Sequence, residues 1–172
     1  MNDLSRLTNE DKDARERIES AAKDMVARTC SWSDMNTGSW NIDGLNAFSG
    51  VLADAFSELD ADIRLQEAPG FDTIDSSGNI QTIHTAPILR ASARMAAPVQ
   101  IVLTGHYDTV FPKGTFEGVT DLGDGRFNGP GLADMKGGLC VMLEALKAFE
   151  AGPFRDRLGY QIVITPDEEI GN

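Results

Sequence analysis

Val99-Gln100-Ile101-Val102-Leu103-Thr104-Gly105-His106-Tyr107-Asp108 opens as a compact apolar strand over residues 99–104 and ends in a histidine and an aspartate. Downstream, Leu139, Met142, Leu143, Leu146 and Phe149 fall on a single stripe. That spacing predicts a helix over residues 136–150, stopped by Gly152-Pro153. Residues 160–165 read as a last strand, apolar enough to be buried on both faces. Strands alternating with helices favour an α/β sandwich around a central sheet.

Working upstream, Thr8-Asn9-Glu10-Asp11 can cap a helix running through Arg28, with Ile18, Ala21, Ala22, Met25 and Val26 on one face. Residues 30–41 are rich in Ser, Asn, Asp and Gly and read as a loop carrying Trp32 and Trp40. Asp43 looks like the cap of a second helix, since Leu45, Phe48, Val51, Leu52, Ala55, Phe56 and Leu59 recur at helical spacing. Residues 62–67 alternate as a strand does. Residues 69–79 are turn-rich, residues 80–91 alternate weakly as a second strand, and residues 112–131 form a Gly-rich excursion with room for one short hairpin. There is no internal repeat, low-complexity tract or interdomain linker.

At 172 residues, 41% of them hydrophobic and 24% charged, the chain suits one soluble globular domain. Its net charge of −12 argues against sequence-independent nucleic-acid binding, which needs clustered Lys and Arg. The two cysteines, Cys30 and Cys140, are far apart and share no metal-type spacing. Cys140 falls on the apolar helix face, as a buried structural thiol would. Met1 to Arg6 has no apolar leader core, and no stretch approaches membrane-spanning length, so no membrane role and a cytoplasmic location are the expectation.

Three segments carry chemistry, and each falls at a revealing place. His106 and Asp108 follow the C-terminal end of one apolar strand, and Glu168 and Glu169 follow that of another. Asp134 lies just before a helix N-terminus, between Gly129-Pro130-Gly131 and Gly137-Gly138. Open α/β sheets place their ligand crevice outside the carboxyl ends of strands, so the three segments are expected to converge. Imidazole nitrogen and carboxylate oxygen suit divalent zinc. In extended backbone Tyr107 points away, leaving His106 and Asp108 on one face, where Asp108 can fix the imidazole tautomer. The competing reading of Asp108 is an Asx-type turn, that of Asp134 a simple N-cap, and that of Asp167-Glu168-Glu169 a solvated acidic loop. Paired glycines in a first helical turn cost roughly 1 kcal/mol each relative to alanine, which close packing would explain.

In this order and spacing, Gly-His-Tyr-Asp-Thr-Val, Gly-Pro-Gly-Leu-Ala-Asp-Met-Lys-Gly-Gly and Pro-Asp-Glu-Glu-Ile-Gly resemble the dinuclear-zinc aminoacylase/carboxypeptidase metallopeptidase family. That family includes acetylornithine deacetylase, succinyl-diaminopimelate desuccinylase and glutamate carboxypeptidase. The glutamate-carboxypeptidase branch looks nearest, from His-Tyr-Asp-Thr-Val-Phe followed by Lys113-Gly114. The resemblance implies a three-layer α/β sandwich with a central mixed, mostly parallel sheet. It implies His106 as ligand of one zinc, Asp134 as the bridging carboxylate and Glu169 as ligand of the second zinc. Glu168 resembles the general base and Asp108 the partner of His106. Two Zn2+ ions are implied, with Co2+ or Mn2+ suiting the same ligands. The implied reaction is hydrolysis of an amide bond in a small or short-peptide substrate with a free carboxylate.

The family also uses a further carboxylate and a further histidine from later in the chain, and an inserted dimerisation domain. Residues 1–172 therefore resemble the N-terminal portion of the catalytic domain. The full-length form is expected to be a homodimer and the 172 residues alone inactive. His84 precedes the first motif and reads as a surface or packing histidine. Two further readings stand beside this one. One is a non-catalytic truncated product that binds metal weakly or pairs with a partner chain. The other is a mononuclear aminopeptidase-like hydrolase of related fold.

Overall fold

The structure, a computed structural model, describes residues 7–171. The leader reading of residues 1–6 lies outside the described residues. The elements in chain order are α1 (Asn9–Ser33), α2 (Ile42–Phe56), β1 (Asp62–Gln66), β2 (Phe71–Ile74), β3 (Ile80–Ile83), β4 (Ile88–Ala93), β5 (Val99–His106), β6 (Thr120–Gly123), β7 (Arg126–Asn128), α3 (Gly137–Glu150) and β8 (Leu158–Thr165). Among the described residues no helix is long and apolar enough to cross a membrane.

Thr8 caps α1 through a reciprocal capping box with Asp11, as its sequence promises. The helix then runs five residues beyond Arg28, through poor helix formers, because its last turn buries Trp32 against Phe48 at 5.8 Å. The cap of α2 is Asn41 and not Asp43, since the Asn41 side chain accepts from the Gly44 N–H. Leu45, Phe48, Leu52 and Phe56 are its buried face, as the spacing predicts.

The main sheet has the order β1-β4-β8-β5. β1 and β4 pair antiparallel, as do β4 and β8, while β5 and β8 run parallel. The sheet is mixed, as expected, but one pairing in three is parallel. The parallel pair needs the long crossover through α3, whereas the β2–β3 hairpin turns the chain back between β1 and β4. β2 lies inside the stretch read as turns. The strand expected over residues 80–91 is two strands, an exposed β3 in that hairpin and a central β4.

Residues from all three helices join Leu89, Ala91, Ala93, Tyr160, Ile162 and Ile164 in one core. These strand residues alternate, so they occupy one face of the sheet. β8 is buried on that face only, because Gln161, between Tyr160 and Ile162, is exposed. Among the described residues the architecture is thus two-layered. A third layer over the opposite face, where Arg90, Gln161 and Val102 stand exposed, is not present among them.

Candidate metal centre

The parallel register sets His106 opposite Thr165, so β5 and β8 end side by side. Two chemical segments therefore leave the sheet at the same edge, one turn from each other. The third arrives at the start of the crossover helix. α3 begins at Gly137, preceded by a turn over residues 132–136 in which Asp134 holds extended φ/ψ of −127° and 100° and the Asp134–Met135 peptide is cis. Asp134 is not an N-cap, since no side chain caps α3. Its carboxylate reaches across to the end of β5 instead.

The result brings His106, Asp134 and Glu169 together, with one potential ligand atom of each within 4.8 Å of the others. His106 Nε2 lies 2.9 Å from Asp134 Oδ1 and 4.0 Å from Glu168 Oε2. His106 is buried, whereas the Asp134 and Glu168 side chains are 76% and 59% exposed, so one imidazole nitrogen opens onto carboxylates that solvent can reach. Glu168 stands beside the trio without being part of it. His84 is exposed and outside it.

Asp108 organises the centre from below. Its side chain is fully buried, and His106 Nδ1–H donates to its Oδ1 at 3.2 Å. The Glu168 and Glu169 N–H groups donate to Oδ1 and Oδ2, each at 3.2 Å. Ser39 Oγ–H donates to Oδ2 at 2.8 Å. Burial raises the Asp108 pKa, but His106, Ser39 and the Glu169 N–H outweigh it and hold the carboxyl below its ordinary value. Four donors around one buried carboxylate tie β5, the loop after α1 and the segment after β8 into one unit. Tyr107 points the other way, into the core beside Phe48, and its hydroxyl donates to the Pro87 carbonyl at 2.7 Å.

The donor set fits a divalent cation. In the ion-free chain the hydrogen bond to Asp108 pushes the His106 pKa up to about 9; burial opposes it and Asp134 adds to it. Glu169 is raised by burial, with His106 opposing and the carboxylates of Asp134, Asp108 and Glu168 adding to the rise. Carboxylates crowded round an imidazole repel one another, and a proton shared between Nε2 and Asp134 relieves only part of that. A zinc-type ion accepting imidazole nitrogen and carboxylate oxygens relieves more, with Nε2 directed at it by the Asp108 contact on Nδ1.

Two supporting residues gave no signal in the sequence. Ser39 is one. The other is Lys136, whose fully buried ammonium donates to the Trp32 carbonyl at 3.0 Å and the Met35 carbonyl at 2.8 Å. It also lies 4.7 Å from the Phe48 ring centroid. The Trp32 carbonyl belongs to the last turn of α1 and the Met35 carbonyl lies just past it, where a helix favours a cation. Burial pushes the Lys136 pKa down to about 7. Lys136 thereby pins the Asp134-bearing turn to α1, and Ser33 Oγ–H, donating to the Pro130 carbonyl at 2.7 Å, pins it again. The glycines have their reason too: a Cβ on Gly137 would lie 2.4 Å from the Leu132 carbonyl oxygen.

Residues 102–172 match the profile of peptidase family M20/M25/M40. Over 77 residues, 42% of this chain, the sequence is 38% identical to succinyl-diaminopimelate desuccinylase 2 of Shewanella loihica, covering 20% of that protein. The fold matches human carnosine dipeptidase 1 with a TM-score of 0.76 at 19% identity, over 96% of this chain and 36% of that one. It matches an M20 family metallo-carboxypeptidase from Sulfolobus solfataricus with a TM-score of 0.65 at 15% identity, over 86% of this chain and 31% of that one. The chain thus spans about a fifth of the desuccinylase and about a third of each structure. The resemblance drawn from the three motifs is matched over residues 102–172 by the M20/M25/M40 profile, and the α/β fold is that of the two peptidase structures.

Proposed function

We propose that this chain, related through residues 102–172 to the M20 metallopeptidases, carries the metal-binding strand ends of a hydrolase that cuts an amide bond of an N-acyl amino acid or a C-terminal peptide residue. The observation that carries the reading is the meeting of His106 and Glu169, from the ends of two neighbouring parallel strands, with Asp134 from the turn before α3. His106 Nε2, Asp134 and Glu169 would hold the divalent zinc-type metal of such a hydrolase. A bound ion supplies Lewis acidity to the amide carbonyl and to water.

The chain's own residues do the rest. Asp108 holds the imidazole so that Nε2 faces the carboxylates. Glu168, solvent-reachable and 4.0 Å from that nitrogen, takes a proton from the attacking water and returns it to the leaving amine nitrogen. Its backbone N–H is anchored on Asp108, while its carboxylate stays open to solvent on the side of Nε2.

The test is a pair of substitutions in the complete protein. Glu168→Ala should abolish hydrolysis and leave zinc content nearly intact, whereas Asp134→Ala should strip the metal. Equal zinc loss in both variants would remove Glu168 from the role of base. Full zinc retention in Asp134→Ala would remove Asp134 from the metal centre.

A further inference from the structure

A cavity of about 440 Å3 opens immediately beside the trio and shares Glu169 with it as a wall. Trp40, Val110, Pro112 and Ile170 line it, and Lys113 is the cation on its border. Two of these apolar residues stand open to solvent, Trp40 at 62% and Val110 at 59% exposure. Large apolar side chains held in water beside a reactive centre mark a binding surface more often than a folding requirement.

The pocket is built, because its two loops are zipped to each other. The Thr109 N–H donates to the Thr37 carbonyl at 2.9 Å, and the Ser39 N–H donates to the Thr109 carbonyl at 3.1 Å. Asn36 Nδ2–H donates to the Phe111 carbonyl at 3.3 Å. A Cβ on Gly38 would lie 2.4 Å from the Phe111 carbonyl oxygen, so the close approach requires glycine there. Trp40 is flanked by two anchored residues, Ser39 on Asp108 and Asn41 on Asn36 and Gly44. Those same bonds occupy the side chains of Ser39 and Asn41. What the pocket offers a ligand is therefore the indole of Trp40, aliphatic walls, and two charged side chains, Lys113 and Glu169.

We propose that this pocket receives an apolar, ring-sized substituent of the substrate next to the bond to be cut, stacked on Trp40 and walled by Val110. The inference rests on the hydrolase reading for the word substrate, but the ring site itself does not need the metal. A cavity of this size lies within the range that holds small ligands, and an aromatic ring gains from both burial and offset stacking on indole.

The experiment uses the 172-residue chain and two uncharged probes, N-acetylphenylalaninamide and N-acetylglycinamide. Binding is followed by tryptophan emission, in which exposed Trp40 responds and buried Trp32 does not, and by broadening of the probe's proton resonances. Each titration is run in EDTA and again with zinc, and zinc binding is measured separately. The phenylalanine probe is expected to saturate in both conditions, at least about tenfold more tightly than the glycine probe, the difference being the ring. Trp40→Ala and Val110→Asp, at exposed positions that circular dichroism should show to be folded, are expected to lose that tenfold. Equal binding of the two probes, or unchanged binding in both variants, overturns the proposal. Binding that appears only with zinc overturns it too, since the amide and not the ring would then be recognised, and it leaves the hydrolase reading standing. Ring binding in a chain that takes up no zinc keeps the pocket and removes the hydrolase reading.

Discussion

Replacing Asp108 with asparagine changes one atom and no volume, and the structure says what that atom holds. Oδ1 accepts from His106 Nδ1–H and the Glu168 N–H, and Oδ2 accepts from Ser39 Oγ–H and the Glu169 N–H. In either flip of the amide, its NH2 faces at least one backbone N–H that cannot turn away. The serine hydroxyl can rotate to accept, but the amides of Glu168 and Glu169 cannot. The variant loses one or two hydrogen bonds to a charged acceptor and buries an unpaired donor, with an expected cost of about 2–4 kcal/mol. Because the segment carrying Glu169 hangs on these bonds, zinc affinity should fall by roughly 10–100-fold as well. Urea denaturation followed by circular dichroism reads the first number, and competition with a chromophoric chelator reads the second. A variant within 0.5 kcal/mol of the parent, with its zinc affinity unchanged, would refute the reasoning that Asp108 organises the centre.

Other consequences can be checked as simply. Gly137→Ala would place a methyl 2.4 Å from the Leu132 carbonyl oxygen, so it should destabilise by about 1–3 kcal/mol despite alanine's better helix propensity. A thermal melt should show a fall of several degrees, and a rise would mean that the turn has room. Burial pushes the Cys140 thiol above its ordinary pKa, and burial with the charges of Asp34 and Asp121 does the same for Cys30. Iodoacetamide at neutral pH should therefore label Cys30 slowly and Cys140 only on unfolding, the Cys30 rate climbing as pH rises toward the thiolate. Immediate labelling of both would place a loosened helix pair where α1 meets α3. Zinc added to the 172-residue chain should give no hydrolysis of N-acyl amino acids, because the described residues supply one group of three ligands for a two-ion centre; measurable zinc-dependent turnover by that chain would show that three suffice.

Much of the site was legible because its residues carry their chemistry openly. A histidine and an aspartate two apart after an apolar run, and two acids after another, imply a shared crevice once parallel strands are inferred. The fold was less legible where tertiary contacts overrode local preference. Thr29, Cys30 and Ser31 are weak helix formers, and α1 continues through them because Trp32 is buried and Ser33 and the Trp32 carbonyl are bonded to the Asp134-bearing turn. β2 is four residues set among Gly, Asp and Ser, and among the described strands it pairs only with β3, which is largely exposed. The apolar run of β8 suggested two buried faces, and Gln161 was the signal that one is open. Ser39 and Lys136 were invisible for a plainer reason: serines and lysines are everywhere, and neither sequence position announces burial.

The order β1-β4-β8-β5 has a consequence for how the molecule is made. Among the described strands β8 is the last in chain order and the one between β4 and β5. Until residues 158–165 are made, β5 has no neighbour among the described strands of the main sheet and β4 has only β1, so these two halves stay apart. Residues 7–150 supply three helices and a hairpin-linked pair of strands, but among the described residues they close no four-stranded sheet without β8. The insertion of β8 closes the gap and, in the same event, delivers Glu168 and Glu169 to a waiting Asp108. Capture of a metal ion would then be a signal that translation has passed this point, read out on a nascent chain rather than on a finished one.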